Sequence, residues 1–115
     1  MKLPGGDSAY IDPRKLVAYA LDVDHREGGA DKARVFDAVL GLGVADASVL
    51  SAALLAAART REAVATGQST YGALFRIDFV FSFNGRSARL RSGWIVPSQD
   101  GPTRLTTVFV LPSSK

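Results

Sequence analysis

The chain has 115 residues, 47% of them apolar and 22% charged, with no cysteine, a single histidine and a net charge of +3. Such a composition describes one folded domain spanning 1–115, not a disordered tail. It excludes disulfides and thiolate metal sites, leaves too few ligands for a zinc centre, and admits an anionic partner without requiring one.

The first ten residues, MKLPGGDSAY, lack the apolar run of a secretory signal. No segment carries enough consecutive apolar residues to span a bilayer. These observations lead to the expectation of a cytoplasmic protein with no membrane partner, no metal and no cofactor.

In chain order the pattern is helical over 1–61 and strand-like over 62–112. Asp12-Pro13 joins an N-cap residue to a proline at the first helical position, where its missing N–H costs nothing. Leu16, Val17, Ala20 and Leu21 mark the apolar face of this first helix, and Gly28-Gly29 stops it. Asp31 is placed to cap a second helix, with Val35, Phe36, Val39 and Leu40 inward and Gly41 and Gly43 closing it. Asp46 is placed to cap a third, in which Leu50, Ala53, Leu54 and Ala57 form one stripe. Abundant alanine favours that helix.

After Glu62 the period becomes two. Tyr71, Ala73, Phe75, Ile77, Phe79, Phe81 and Phe83 alternate with Arg76, Asp78 and Ser82, as in a strand with one buried face. Asn84-Gly85 is a strong hairpin signal, because both central residues of a type I′ turn need positive φ. The return strand, 86–96, sets Ala88, Leu90 and Trp94 on one side and Arg89 and Arg91 on the other. A turn at 97–102 leads to a last strand, 103–111, with Leu105, Thr107, Phe109 and Leu111 on one face. Residues 62–66 form a candidate outer strand, turned at 69–72.

The expected fold is α+β: three N-terminal helices packed on one face of a three- to four-stranded antiparallel meander. If the aromatic face packs on the helices, the opposite face carries Arg76, Asp78, Arg89, Arg91, Arg104 and Thr106 and is at least partly open. Guanidinium groups there suit phosphate, since each can form two parallel hydrogen bonds to oxyanions. The alternative is an ordinary polar sheet face with Asp78 as a counter-charge. Thr106 also has a plain explanation in β propensity. Trp94 and the phenylalanines read as core. On this reading the arginine face has no aromatic side chain, unlike dedicated single-strand binders, which interleave aromatics with basic residues.

The segments KLPGGDSAYIDPRKLVAYAL and DHREGGADKARVF resemble an uncharacterised family of small bacterial domains, also found at the C-terminal ends of contact-dependent inhibition and other polymorphic toxins. The matching positions are Leu3-Pro4, Ile11, Lys15-Leu16, His25, Gly28 and Lys32-Ala33 with Phe36. The family's proline after the histidine is Arg26 here, and its Asn-Pro is Asp22-Val23. Such domains look like the barnase–EndoU–colicin–RelE class of metal-independent ribonucleases, a fold-level analogy.

The resemblance implies RNA as substrate, and a cognate antitoxin or immunity protein as partner. It gives residues 22–36 two readings: a loop between helices, or part of a site in which His25 and Lys32 border the arginine-bearing sheet. Metal-independent cleavage needs a base, an acid and cations, and histidine titrates in the right range. The candidate catalytic residues are then His25, Lys32, Arg89 and Arg91, with Arg76, Arg104, Thr106 and Lys15 binding substrate. The competing reading is a non-catalytic binding module, antitoxin-like or an adaptor, or a phage or mobile-element accessory protein. No G-x-x-x-x-G-K-[ST] or G-x-S-x-G motif supports nucleotide hydrolysis or serine-hydrolase chemistry.

Overall fold

The computed structural model describes residues 1–16 and 29–112. The architecture is α+β, built on an open four-stranded antiparallel sheet in the order β1-β2-β3-β4. The strands are β1 (Val64–Ser69), β2 (Gly72–Phe83), β3 (Arg86–Pro97) and β4 (Arg104–Val110). Asn84 and Gly85 have φ of 54° and 74°, the doubly left-handed turn that joins β2 to β3 as the sequence predicts.

The helices are α1 (Pro13–Lys15), α2 (Gly29–Leu40) and α3 (Ala47–Thr60), with short 3-10 turns at Gly6–Ser8 and Val44–Asp46. Asp12 caps α1 by accepting the Arg14 N–H at 3.0 Å. Where three helices are expected, only α2 and α3 exceed two turns among the described residues. Val17, Ala20, Leu21 and His25 lie outside the described residues.

Two expected caps differ. Asp31 falls inside α2, which already includes Gly29. Asp46 precedes α3, but its carboxylate accepts the Gly43 N–H at 3.0 Å and closes the preceding turn instead of capping the helix.

Phe36 and Leu40 are fully buried, four residues apart on one line of α2, whereas Val35 and Val39 are 41% and 39% exposed. The expected four-residue inward face is therefore narrower, because one position around a helix is a turn of about 100°. On α3, Leu50, Leu54, Ala57 and Ala58 are buried and Ala53 is partly so. These side chains join Phe75, Ile77, Phe79, Phe81, Leu90 and Trp94 in one core. Trp94 is core as expected. Its indole N–H donates to Ser92 Oγ, which donates to the Ile77 carbonyl, each at 2.9 Å, so no buried polar group is stranded there.

The N-terminal segment straps the open sheet. Lys2 bridges Glu62 just before β1, and Tyr10 pairs with Arg104 at the outer edge of β4. Between them, Thr103 Oγ1 donates to the Pro4 carbonyl at 2.6 Å. Gly6 lies so close to α3 that a Cβ there would sit 2.1 Å from the Ala58 carbonyl oxygen; only glycine fits. Leu3, Ile11 and Leu16 are all buried. No single described helix is long and apolar enough to cross a membrane.

Candidate functional site

Strand register decides what shares the face opposite the core. Asp78 pairs with Arg91, Val80 with Arg89 and Arg76 with Gly93 across β2 and β3. Directly opposed residues share a face, so Arg76, Asp78, Arg89 and Arg91 stand together, as alternation predicts. Arg104 pairs with Ile95 and belongs to the same face.

Asp78 organises this group. Arg91 Nε and Nη2 each donate to one of its carboxylate oxygens at 2.9 Å, the two-pronged geometry that suits a planar guanidinium. Arg76 Nε approaches the same carboxylate at 3.9 Å. The hydrogen bonds from Arg91 hold the Asp78 carboxyl below the ordinary carboxylate range despite opposing desolvation, and the charges of Arg91, Arg76 and Arg89 push the same way. Asp78 in turn raises the Arg91 guanidinium. Arg89 has no ion pair among the described residues and is exposed. The cluster is thus one acid under three arginines, with surplus positive charge facing out.

The last strand departs from the expected phase. Between Gly93 and Trp94 the β3–β4 register slips, so that Leu105 opposes Trp94 but Thr107 opposes Gly93, leaving Thr106 as the extra residue of a bulge. Beyond it Val108 and Val110 face the core, and Thr107 and Phe109 move to the arginine face, with Phe109 directly opposite Arg91. This corrects the sequence-based expectation that Leu105, Thr107 and Phe109 share one face and that the basic face lacks an aromatic. Glycine inside a strand is the available signal, since it often marks a bulge. Thr106 lies beside this glycine: a Cβ on Gly93 would meet Thr106 Oγ1 at 2.9 Å.

Two concavities adjoin the cluster. A shallow hollow of about 320 Å³ has Leu74, Arg76, Arg91, Gly93, Thr106 and Phe109 in its lining. A larger one, about 620 Å³, lies among Val35 and Val39 of α2, Val80, Arg89, Val110 and Leu111. Lys32 belongs to α2, and helical spacing puts position 32 on the same stripe as positions 35 and 39. Lys15 is exposed at the end of α1, apart from the arginine cluster in sequence and element. Among the described residues no three His, Cys, Asp or Glu side chains are grouped to hold a metal ion.

Residues 2–112 match the family described as a domain of unknown function, DUF6883. The chain belongs to this family. No curated protein and no solved structure matches it. Of the positions that carry the N-terminal resemblance, Leu3, Ile11, Leu16 and Phe36 are buried in the DUF6883 core. Each of these four therefore has a packing role in this chain, and Lys15, His25 and Lys32 are the polar residues among the positions of the resemblance.

Proposed function

We propose that this DUF6883 domain is a metal-independent endoribonuclease-type toxin domain that engages RNA through the arginine face of its sheet. The observation that carries the reading is the convergence of Arg76, Arg89 and Arg91 on one sheet face, where Arg89 is exposed and has no ion pair among the described residues. A polyanion supplies the charge that one aspartate does not.

In the proposed reaction a base takes the proton of a ribose 2′-hydroxyl as its oxygen bonds to the adjacent phosphorus. The bond from phosphorus to the 5′-oxygen breaks, and that oxygen leaves with a proton from an acid. The products are a 2′,3′-cyclic phosphate and a 5′-hydroxyl. His25 is assigned the acid or base role. Arg89 and Arg91, with Lys32, stabilise the charge that develops on the phosphoryl oxygens. Arg76, Arg104, Thr106 and Lys15 bind flanking RNA. An antitoxin or immunity protein encoded with the domain would control it by covering the arginines with acidic groups, and the site of action would be the bacterial cytoplasm.

The test is incubation of the purified domain with total bacterial RNA, including tRNA, in the presence of EDTA. Discrete fragments with cyclic phosphate ends are expected. Arg89→Ala should lower the rate by roughly a hundredfold, as loss of a preorganised cationic donor does, with little change in melting temperature. Tight RNA binding without any cleavage would instead establish the non-catalytic adaptor reading, which the Asp78–Arg91 pair favours because it resembles a structural ion pair. Cleavage that requires added magnesium would reject the metal-independent mechanism.

A further inference from the structure

The hollow over Gly93 combines features that the cationic cluster alone does not explain. Gly93 stands half-buried in a central strand, between Arg76 on one side and Thr107 on the other. The place of its missing side chain is taken by Thr106 Oγ1 and Thr107 Cγ2, which lie 2.9 and 3.0 Å from where a Cβ would stand, so the face is notched only shallowly, above the two threonines. Leu74 and Phe109 give the notch apolar walls, and Arg76 and Arg91 border it with guanidinium groups. Arg91 is held in a fixed plane by its two bonds to Asp78. The volume, about 320 Å³, is at the lower end of what small-molecule sites offer, the size for a ring system and not for an extended ligand.

Aromatic surface next to arginines is the arrangement on which single-stranded nucleic acids lay their bases. The bulge at Thr106 is what brings Phe109 there; without it, regular alternation would send this ring to the core. Bulges recur where a strand must re-aim a side chain beside a functional site.

We propose that the Gly93 hollow seats one unpaired base of an RNA strand, stacked on Phe109, while Arg76 and Arg89 hold the neighbouring phosphates. This rests on the reading of the arginine face as the RNA-binding face and adds to it a subsite for the base. Thr106 Oγ1, at the rim, is positioned to exchange a hydrogen bond with the edge of that base.

Calorimetric titration with a tetraribonucleotide and with an abasic tetramer of equal charge tests the subsite separately from the phosphate contacts. The natural tetramer should bind at least about tenfold more tightly, and Phe109→Leu should abolish that difference while leaving abasic binding unchanged. Because the leucine keeps the site apolar, the variant should fold; a readout on the unaltered protein is also available, since 2-aminopurine in the tetramer should lose fluorescence on stacking. Equal affinity for the two tetramers, with no fluorescence loss, overturns the base subsite but leaves the phosphate-binding face standing. Binding of neither tetramer overturns both.

Discussion

Asp78 and Arg91 face each other across β2 and β3, joined by two parallel hydrogen bonds of 2.9 Å. Removing Arg91 leaves this carboxylate, whose side chain is only 19% exposed, with Arg76 at 3.9 Å as its remaining ion pair. Arg91→Ala should therefore lower the melting temperature more than Arg89→Ala, which breaks no ion pair among the described residues. Adding Asp78→Ala to Arg91→Ala should recover part of the loss, because the stranded acid is gone. Equal melting temperatures for the two single variants would reject a structural role for the pair.

The same pair should write a signature in pH. Arg91 lowers the Asp78 carboxyl in the folded protein, so folding favours its ionised form. That contribution is fully present above the unfolded aspartate value of about 3.9 and is lost as pH falls through the lower folded value. The stability difference between the wild type and Asp78→Asn should thus be constant near neutrality and shrink only in strong acid. Urea denaturation at a series of pH values gives the measurement; a difference that grows below pH 4 would contradict the sign.

Salt dependence separates the arginines as phosphate contacts from other roles. Each phosphate neutralised on a single strand contributes about 0.7 to the slope of log affinity against log salt. Arg76→Gln with Arg89→Gln should reduce that slope by about 1.4 for single-stranded RNA. An unchanged slope would remove both residues from the phosphate-binding surface.

The narrowed face of α2 makes a prediction about stability alone. Phe36 is fully buried and Phe36→Ala should cost about 3–5 kcal/mol. Val35, one position away and 41% exposed, should tolerate Val35→Ser within about 0.5 kcal/mol. Chemical denaturation of the two variants decides whether the helix is rotated as described or packs with both residues inward.

Much of the sheet was legible in the sequence because period-two alternation and Asn84-Gly85 are local signals. The pairing of Arg76, Asp78, Arg89 and Arg91 followed from them directly. Phe109 was not legible, because Thr106-Thr107 can continue a strand in either phase and only the partner strand settles which threonine is extra. Asp46 is ambiguous in the sequence for a related reason: a carboxylate before a helix can also turn back to close the preceding turn, as it does on Gly43. Val35 reads as inward in the sequence because adjacent apolar residues blur the helical stripe, yet it is 41% exposed. The roles proposed for His25 and Lys32 come from the family resemblance, which no strand period or helix stripe could have supplied.

The N-terminal strap has a bearing on how the domain is made. Lys2 meets Glu62, and Tyr10 meets Arg104, ninety-four positions later in the chain. Pairings so distant in sequence carry a large loop-closure cost and form slowly. On a ribosome, this N-terminal segment of the domain cannot take its place until β4 follows it out. The meander can assemble from hairpins as it is synthesised, but the bridge between Tyr10 and Arg104 at the start of its outer edge closes last. Until then the Arg104 end of β4 is unpaired on its outer side, so the newly made chain passes through an interval in which that backbone can pair with another strand.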